Sequence, residues 1–200
     1  MKKLLIASLF LIGNSLAFAV QANIAIGQPA PDFSTVDTNG MSHTLSQHKG
    51  KYVVLEWVNP GCPFVRKHYS GNMQGTQKEA TSRGVIWYTV NSTAEDQGDY
   101  KKPADMAAWM QDQQANATAT LMDTEGKVGK AYGAKTTPHL YIIDPKGTLI
   151  YAGAIDSKAT ARVEDIKDAT NYVKQALNEA QTGKPVSMAA TQAYGCSVKY

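Results

Sequence analysis

What most constrains this chain is an alternation of strand-like and helix-like runs that closes in a hairpin. Residues 51–58 (KYVVLEWV) are β-branched and aromatic, bounded by Gly50 and by Asn59-Pro60, the pattern of a buried strand. Residues 65–80 read as helix, and residues 84–91 (GVIWYTVN) as a second strong strand. After a polar loop over 92–103, a helix is predicted over 104–114, a short strand over 120–123, and a helical turn over 128–132 ended by Gly133. Residues 140–144 (LYIID) and 149–153 (LIYAG) are two further strands, joined through the turn signal Pro145-Lys146-Gly147. The last helix is predicted over 162–179, followed by a tail over 182–200. Upstream, residues 27–33 (GQPAPDF) form an extended lead-in, Asn39-Gly40 is a turn, and residues 45–50 are a short helical turn or loop. Strands separated by helices imply an α/β fold, a mixed central sheet with helices on both faces. Trp57, Trp87 and Trp109 are read as core residues.

Two segments stand outside that pattern. Residues 1–22 carry Lys2 and Lys3, an apolar run over 4–12, and small residues at peptidase spacing (Ala17-Phe18-Ala19 or Val20-Gln21-Ala22). They are expected to be a cleaved signal peptide, since the run is shorter than the ~20 apolar residues of a spanning helix. The expected domain is then 23–200, in a periplasmic or secreted protein that is not inserted in a membrane after cleavage. Without Lys2 and Lys3, eighteen of the twenty basic residues face seventeen acidic ones, a net of +1. That balance offers nucleic acid no electrostatic footprint.

The chemistry is expected around Cys62. In Asn59-Pro60-Gly61-Cys62-Pro63-Phe64-Val65 a buried strand stops, a Gly/Pro turn follows, and a cysteine stands where a helix begins. Unpaired N–H groups and the positive end of the helix dipole favour thiolate there, and Pro63 suits the first helical turn. Thr136-Thr137-Pro138-His139, just ahead of the 140–144 strand, is a candidate cis-proline turn offering a backbone edge to an extended partner. Cys196, 134 positions beyond Cys62, is either a resolving thiol or half of a structural staple. A loop that long makes the staple worth roughly 4–5 kcal/mol on chain entropy alone. His43, His48 and His139 are isolated in sequence, Cys62 with His68 lacks zinc spacing, and a copper site from Cys62 and His139 is a minor alternative. No cofactor is expected.

These residues resemble a known group. Residues 27–33, Asn39-Gly40 and residues 50–55 look like the start of the alkyl hydroperoxide reductase/thiol-specific antioxidant (redoxin) group. Thr136-Thr137-Pro138 with the following hairpin resembles the cis-proline loop of thioredoxin-like proteins. The Cys62 loop and the terminal Gly195-Cys196-Ser197-Val198-Lys199 resemble a peroxiredoxin-like branch. The resemblance runs from about residue 24 to 200 and implies a thioredoxin fold, Cys62 at the start of the active-site helix, and a cis Pro138. The departures are informative. Val65 stands where thioredoxin-type oxidoreductases carry the second cysteine of Cys-x-x-Cys, which leaves Cys196 as the resolving candidate. Asn59, Leu55 and Pro138 stand where peroxiredoxins carry Thr or Ser, Pro and Arg, so the peroxide pocket does not carry over.

Two functions follow as expectations. The first is a periplasmic thiol-redox enzyme, either a thiol–disulfide oxidoreductase or a peroxiredoxin-like antioxidant. Cys62 would be its nucleophile and Cys196 its resolving thiol, with Asn59, Thr137 and Pro138 binding the substrate. Its partners would be protein thiols and disulfides, or a peroxide, and an external thiol reductant. The second is a non-catalytic thioredoxin-fold module that binds a partner or copper and is stapled by Cys62–Cys196.

Overall fold

The computed structural model describes residues 24–200. The proposed signal peptide lies outside the described residues. Seven strands form one sheet: β1 (Ser34–Asp37), β2 (Ser42–Thr44), β3 (Val53–Trp57), β4 (Ile86–Asn91), β5 (Ala119–Met122), β7 (His139–Ile143) and β8 (Leu149–Gly153). Their order is β2-β1-β5-β4-β3-β7-β8. β3 and β5 run parallel to β4, and the remaining pairings are antiparallel, so the sheet is mixed. Two residues, β6 (Thr136–Thr137), stand apart and pair antiparallel with β9 (Cys196–Ser197) of the tail. This mixed sheet between helices is the α/β architecture expected from the sequence.

β3 is buried along its whole length and splits by the two-residue period of a strand. Val54 and Val58 enter one core, with Val65, Met73, Met106, Val173 and Leu177. These come from α1 (Pro63–His68), α2 (Asn72–Ser82), α3 (Pro103–Asp112) and α5 (Tyr172–Gln181). Val53, Leu55 and Trp57 enter the other core, against Phe33, Leu45 and Val128 and Tyr132 of α4 (Lys127–Tyr132). Trp57 and Trp87 are fully buried, while Trp109 is half-buried against Tyr69.

The structure corrects two helix expectations. The helix predicted over 65–80 is two helices. Gly71, at φ 122°, turns the chain after His68, and its N–H donates to Gln74 Oε1 at 3.0 Å to start α2. The helix predicted over 162–179 is a 3-10 segment, Val163–Asp168, followed by α5. Asn171 caps α5 by accepting from the Lys174 N–H at 3.0 Å. The residues read only as a tail carry β9, which pairs with β6 just ahead of the start of β7.

Candidate active site

β3 ends at Trp57, and Asn59 shapes the turn that follows. The Asn59 carbonyl accepts from the Cys62 N–H at 3.0 Å, and its Oδ1 accepts from the Gly61 N–H at 2.7 Å. Its amide donates to Thr93 Oγ1 at 3.1 Å and Asp99 Oδ2 at 2.8 Å. Every polar atom of this buried side chain is thus engaged in holding the loop. Cys62 caps α1 with extended dihedrals, and Pro63 takes the first helical position as expected. A cleft of about 230 Å³ borders the loop, lined by Pro60, Gly61, Arg66, Asp99, Tyr100 and Trp109 among others.

The Thr137–Pro138 peptide is cis. Thr137 and Pro138 are buried beside Cys62, whose thiol donates to the Thr137 carbonyl at 3.0 Å. The other face of that backbone is occupied. Thr137 pairs with Cys196 in the β6–β9 ladder, which sets Cys196 against Cys62. Gly195 makes this approach feasible. At φ 140°, a Cβ there would lie 2.0 Å from the Thr137 carbonyl oxygen.

The two cysteines are free thiols in unlike surroundings: Cys62 is only 2% exposed, whereas Cys196 is half-buried. Burial pushes the Cys62 thiol up. It is outweighed by the Cys196 thiol, the Thr137 hydroxyl, and the Val65 and Cys196 N–H groups, so Cys62 lies below the ordinary thiol value. Among the described residues the buried Thr137 hydroxyl has no hydrogen-bond partner, which leaves it free to serve the thiolate. Cys196 is pushed up to about 11, first by burial and then by its hydrogen bond and charge interaction with Cys62. The arrangement sets a more acidic and a less acidic thiol on either side of Thr137. That is the reduced form of a pair able to close a disulfide.

The structure therefore brings together Cys62, Cys196, Thr137 and Pro138, with Asn59 one turn behind. His139 sits apart from Cys62 in its bonding: its Nδ1 accepts from the Lys135 N–H at 3.3 Å and lies 3.1 Å from the Tyr141 hydroxyl. Among the described residues no three His, Cys, Asp or Glu side chains gather as a metal-binding group.

Sequence reading missed a second cluster. Lys67 and His68 of α1, both buried, meet Asp156 and the tail residue Tyr194. Adjacent in the chain only as Lys67-His68, these residues carried no spacing signal. It also missed Glu56 on β3, fully buried and pushed up to about 7 by burial. The carboxylate accepts from Tyr69 at 2.9 Å, Gln77 at 2.9 Å and Trp87 at 2.8 Å, which offset only part of that cost.

Comparison with known proteins bears on the family and the fold. Residues 26–152 match the AhpC/TSA family. Thiol-disulfide oxidoreductase ResA of Bacillus subtilis (strain 168) is 31% identical over 133 residues, covering 66% of this chain and 69% of the relative. A hypothetical protein of Sinorhizobium meliloti 1021 shares the fold with a TM-score of 0.78 at 24% identity, over 89% of this chain and 96% of that one. The thioredoxin domain of a thiol-disulfide oxidoreductase from Bacteroides vulgatus superposes with a TM-score of 0.52 at 22% identity, over 73% of this chain and 98% of that one. The sheet is thus of the thioredoxin type, and the chain belongs to the AhpC/TSA family as a redoxin similar to the thiol-disulfide oxidoreductases.

Proposed function

We propose that this protein is an exported thiol–disulfide oxidoreductase that works with Cys62 and Cys196 in place of a Cys-x-x-Cys pair. One observation carries the reading: the Cys62 thiol donates to the Thr137 carbonyl while Thr137 pairs with Cys196, so both cysteines flank one residue at the start of α1. The Cys62 thiolate attacks one sulfur of a substrate disulfide, and the other sulfur leaves as a thiolate and takes a proton. Cys62 is then neutral in a mixed disulfide. Its charge no longer holds Cys196 up, so Cys196 ionises more readily at the moment it is needed. The Cys196 thiolate attacks the Cys62 sulfur, closes Cys62–Cys196 and releases the second substrate thiol. An external dithiol reductant returns both cysteines to thiols and is itself oxidised to a disulfide.

Thr137 and Pro138 form the edge that a substrate reaches when the tail strand carrying Cys196 lifts off it, and Asn59 supports the loop rather than reaching the substrate. Thiol–disulfide exchange is favoured over peroxide reduction because the Asn59 donors are already spent on Thr93 and Asp99. The exported location rests on the leader-like residues 1–22. Among the described residues no helix is long and apolar enough to cross a membrane.

The test is the rate of Cys62 alkylation against pH, in the wild type and in Cys196→Ser. The expected midpoint lies below 8.5 in the wild type and rises in the variant, with a Cys62–Cys196 bond forming under mild oxidant. A wild-type midpoint at or above 8.5, or a bond that thioredoxin-strength reductants leave intact, would sink the reading in favour of a stapled binding module.

A further inference from the structure

The tail that carries Cys196 is tied down on both sides of β9, by contacts of very different character. Downstream, Lys199 reaches Asp99 Oδ2 at 2.8 Å in a solvent-exposed ion pair. The Ala94 N–H donates to the Lys199 carbonyl at 2.8 Å, and the Tyr200 hydroxyl donates to the Ala134 carbonyl at 2.7 Å. Upstream, only two residues from Cys196, Tyr194 enters the cluster at the base of α1.

That cluster is a directed chain of hydrogen bonds. Asn72 Nδ2 donates to His68 Nδ1 at 2.8 Å. His68 is neutral, held down to about 4 chiefly by burial. With Nδ1 accepting, its Nε2–H donates to the Tyr194 oxygen at 3.0 Å. The Tyr194 hydroxyl in turn donates to Asp156 Oδ1. Asp156 Oδ2 has no hydrogen-bond partner and faces Lys67 Nζ at 3.6 Å, while Lys67 also donates to the Lys158 carbonyl at 2.7 Å. The Tyr194 ring packs edge-on against Phe64, with centroids 5.9 Å apart, and lies 5.5 Å from Lys67 Nζ. Phe64, Lys67 and His68 all lie on α1, the helix that Cys62 caps. Nucleophile and tail anchor are therefore referred to one short rigid element.

We propose that Tyr194 is a positioning residue that holds Cys196 against Cys62, with the buried Lys67–His68–Asp156 cluster as its socket. This rests on Cys196 being the resolving thiol. Fixing the tail two residues from the sulfur replaces a search by a free chain end with a fixed neighbour, which raises the effective concentration of Cys196 at Cys62. Exposed ion pairs do this poorly, whereas a hydroxyl held between two buried partners does it well. The same hold keeps the Cys196 thiol and N–H aimed at the Cys62 sulfur.

The experiment uses the mature protein, reduced and then treated with glutathione disulfide. It follows both the rate of Cys62–Cys196 closure and the pH midpoint of Cys62 alkylation. In Tyr194→Phe, which keeps the ring on Phe64, closure is expected to slow about tenfold or more. Glutathione should then accumulate on Cys62, whose midpoint should rise toward that of Cys196→Ser. Gly195→Ala is the independent control. It leaves the socket intact but drives a Cβ into the Thr137 carbonyl, and should act in the same direction. Far-UV circular dichroism and thermal unfolding verify that α1 and the sheet persist in both. Closure within about twofold of wild type and an unmoved midpoint in folded Tyr194→Phe, while Gly195→Ala slows closure, would overturn the role of Tyr194 alone. A wild type that does not close, or a Cys196→Ser variant with an unmoved midpoint, would instead remove the resolving role and this proposal with it.

Discussion

The two sulfurs of the candidate site are held by two different kinds of structure. Cys62 hangs on the body of the protein: a strand buried on both faces, a loop locked by Asn59, and the first turn of α1. Cys196 hangs on a tail whose strand is two residues long, held by that pairing, by isolated backbone bonds such as Val198 N–H to the Lys135 carbonyl, and by side-chain contacts at Tyr194, Lys199 and Tyr200. The body fixes the nucleophile, while its acidity is set jointly by the Cys196 thiol and N–H of the tail and by the Thr137 hydroxyl and Val65 N–H of the body. A tail can deliver a second thiol and withdraw it, since opening it breaks few backbone bonds. Cys-x-x-Cys proteins place both sulfurs on the body. Here Val65 fills the second position and enters the core, so the pair is split between a rigid part and a releasable one.

Substituting each thiol in turn breaks the comparison most sharply. Cys62→Ser is expected to abolish disulfide reduction altogether, because burial raises Cys196 and the donors that lower Cys62 do not serve it. Cys196→Ser should keep the first step and stop there, leaving a stable mixed disulfide on Cys62. Mass spectrometry of the protein after glutathione disulfide reads both outcomes. A Cys62→Ser protein that still turns over would place the nucleophile on the tail and reverse the assignment.

A smaller effect separates body from tail through pH. Glu56 lies in the body and is raised to about 7 by burial. Between its ordinary value near 4.5 and about 7, the unfolded chain gives up this proton while the folded chain keeps it. Its contribution is therefore full below pH 4.5 and is lost as pH rises through 7, a swing on the order of 3 kcal/mol for the 2–3 units involved. Glu56→Gln should flatten that slope in urea unfolding measured from pH 4.5 to 8. Asp37 and Asp99 are lowered and act in the opposite sense, but only as pH falls below the ordinary carboxylate range. Cys196→Ser should leave the Glu56 slope as it is, because the tail does not contact Glu56.

How much of this was written in the sequence divides along the same line. The sheet, the place of Cys62 and the proline turn were legible because each depends on local chemistry: β-branched runs, a Gly/Pro turn, a proline at the first helical position. The break at Gly71 was less so, since a glycine inside a helical pattern reads as tolerable until its positive φ is seen. The socket was not legible at all. Lys67, His68, Asp156 and Tyr194 come from three separate stretches, and only the packing of α1 against the tail brings them together. Glu56 was hidden for another reason: residues 51–58 read as a buried strand from their apolar members alone, which gives no sign that Tyr69, Gln77 and Trp87 gather around its fully buried carboxylate.

The least effect is expected from the tail's other tie. Lys199 and Asp99 meet at 2.8 Å, yet the Lys199 side chain is 44% exposed, and such pairs contribute about 0–1 kcal/mol, less in salt. Asp99 also accepts from Asn59, so removing Lys199 leaves the Cys62 loop with its own bond intact. Lys199→Ala should therefore slow Cys62–Cys196 closure by no more than about twofold at low salt, and by nothing measurable at high salt. Closure kinetics at two ionic strengths decide the matter. A tenfold loss that salt does not alter would mean that the tail is held from its far end rather than at Tyr194. The division between a rigid nucleophile and a tail clipped beside its resolving thiol would then have to be redrawn around Asp99, the residue that touches both.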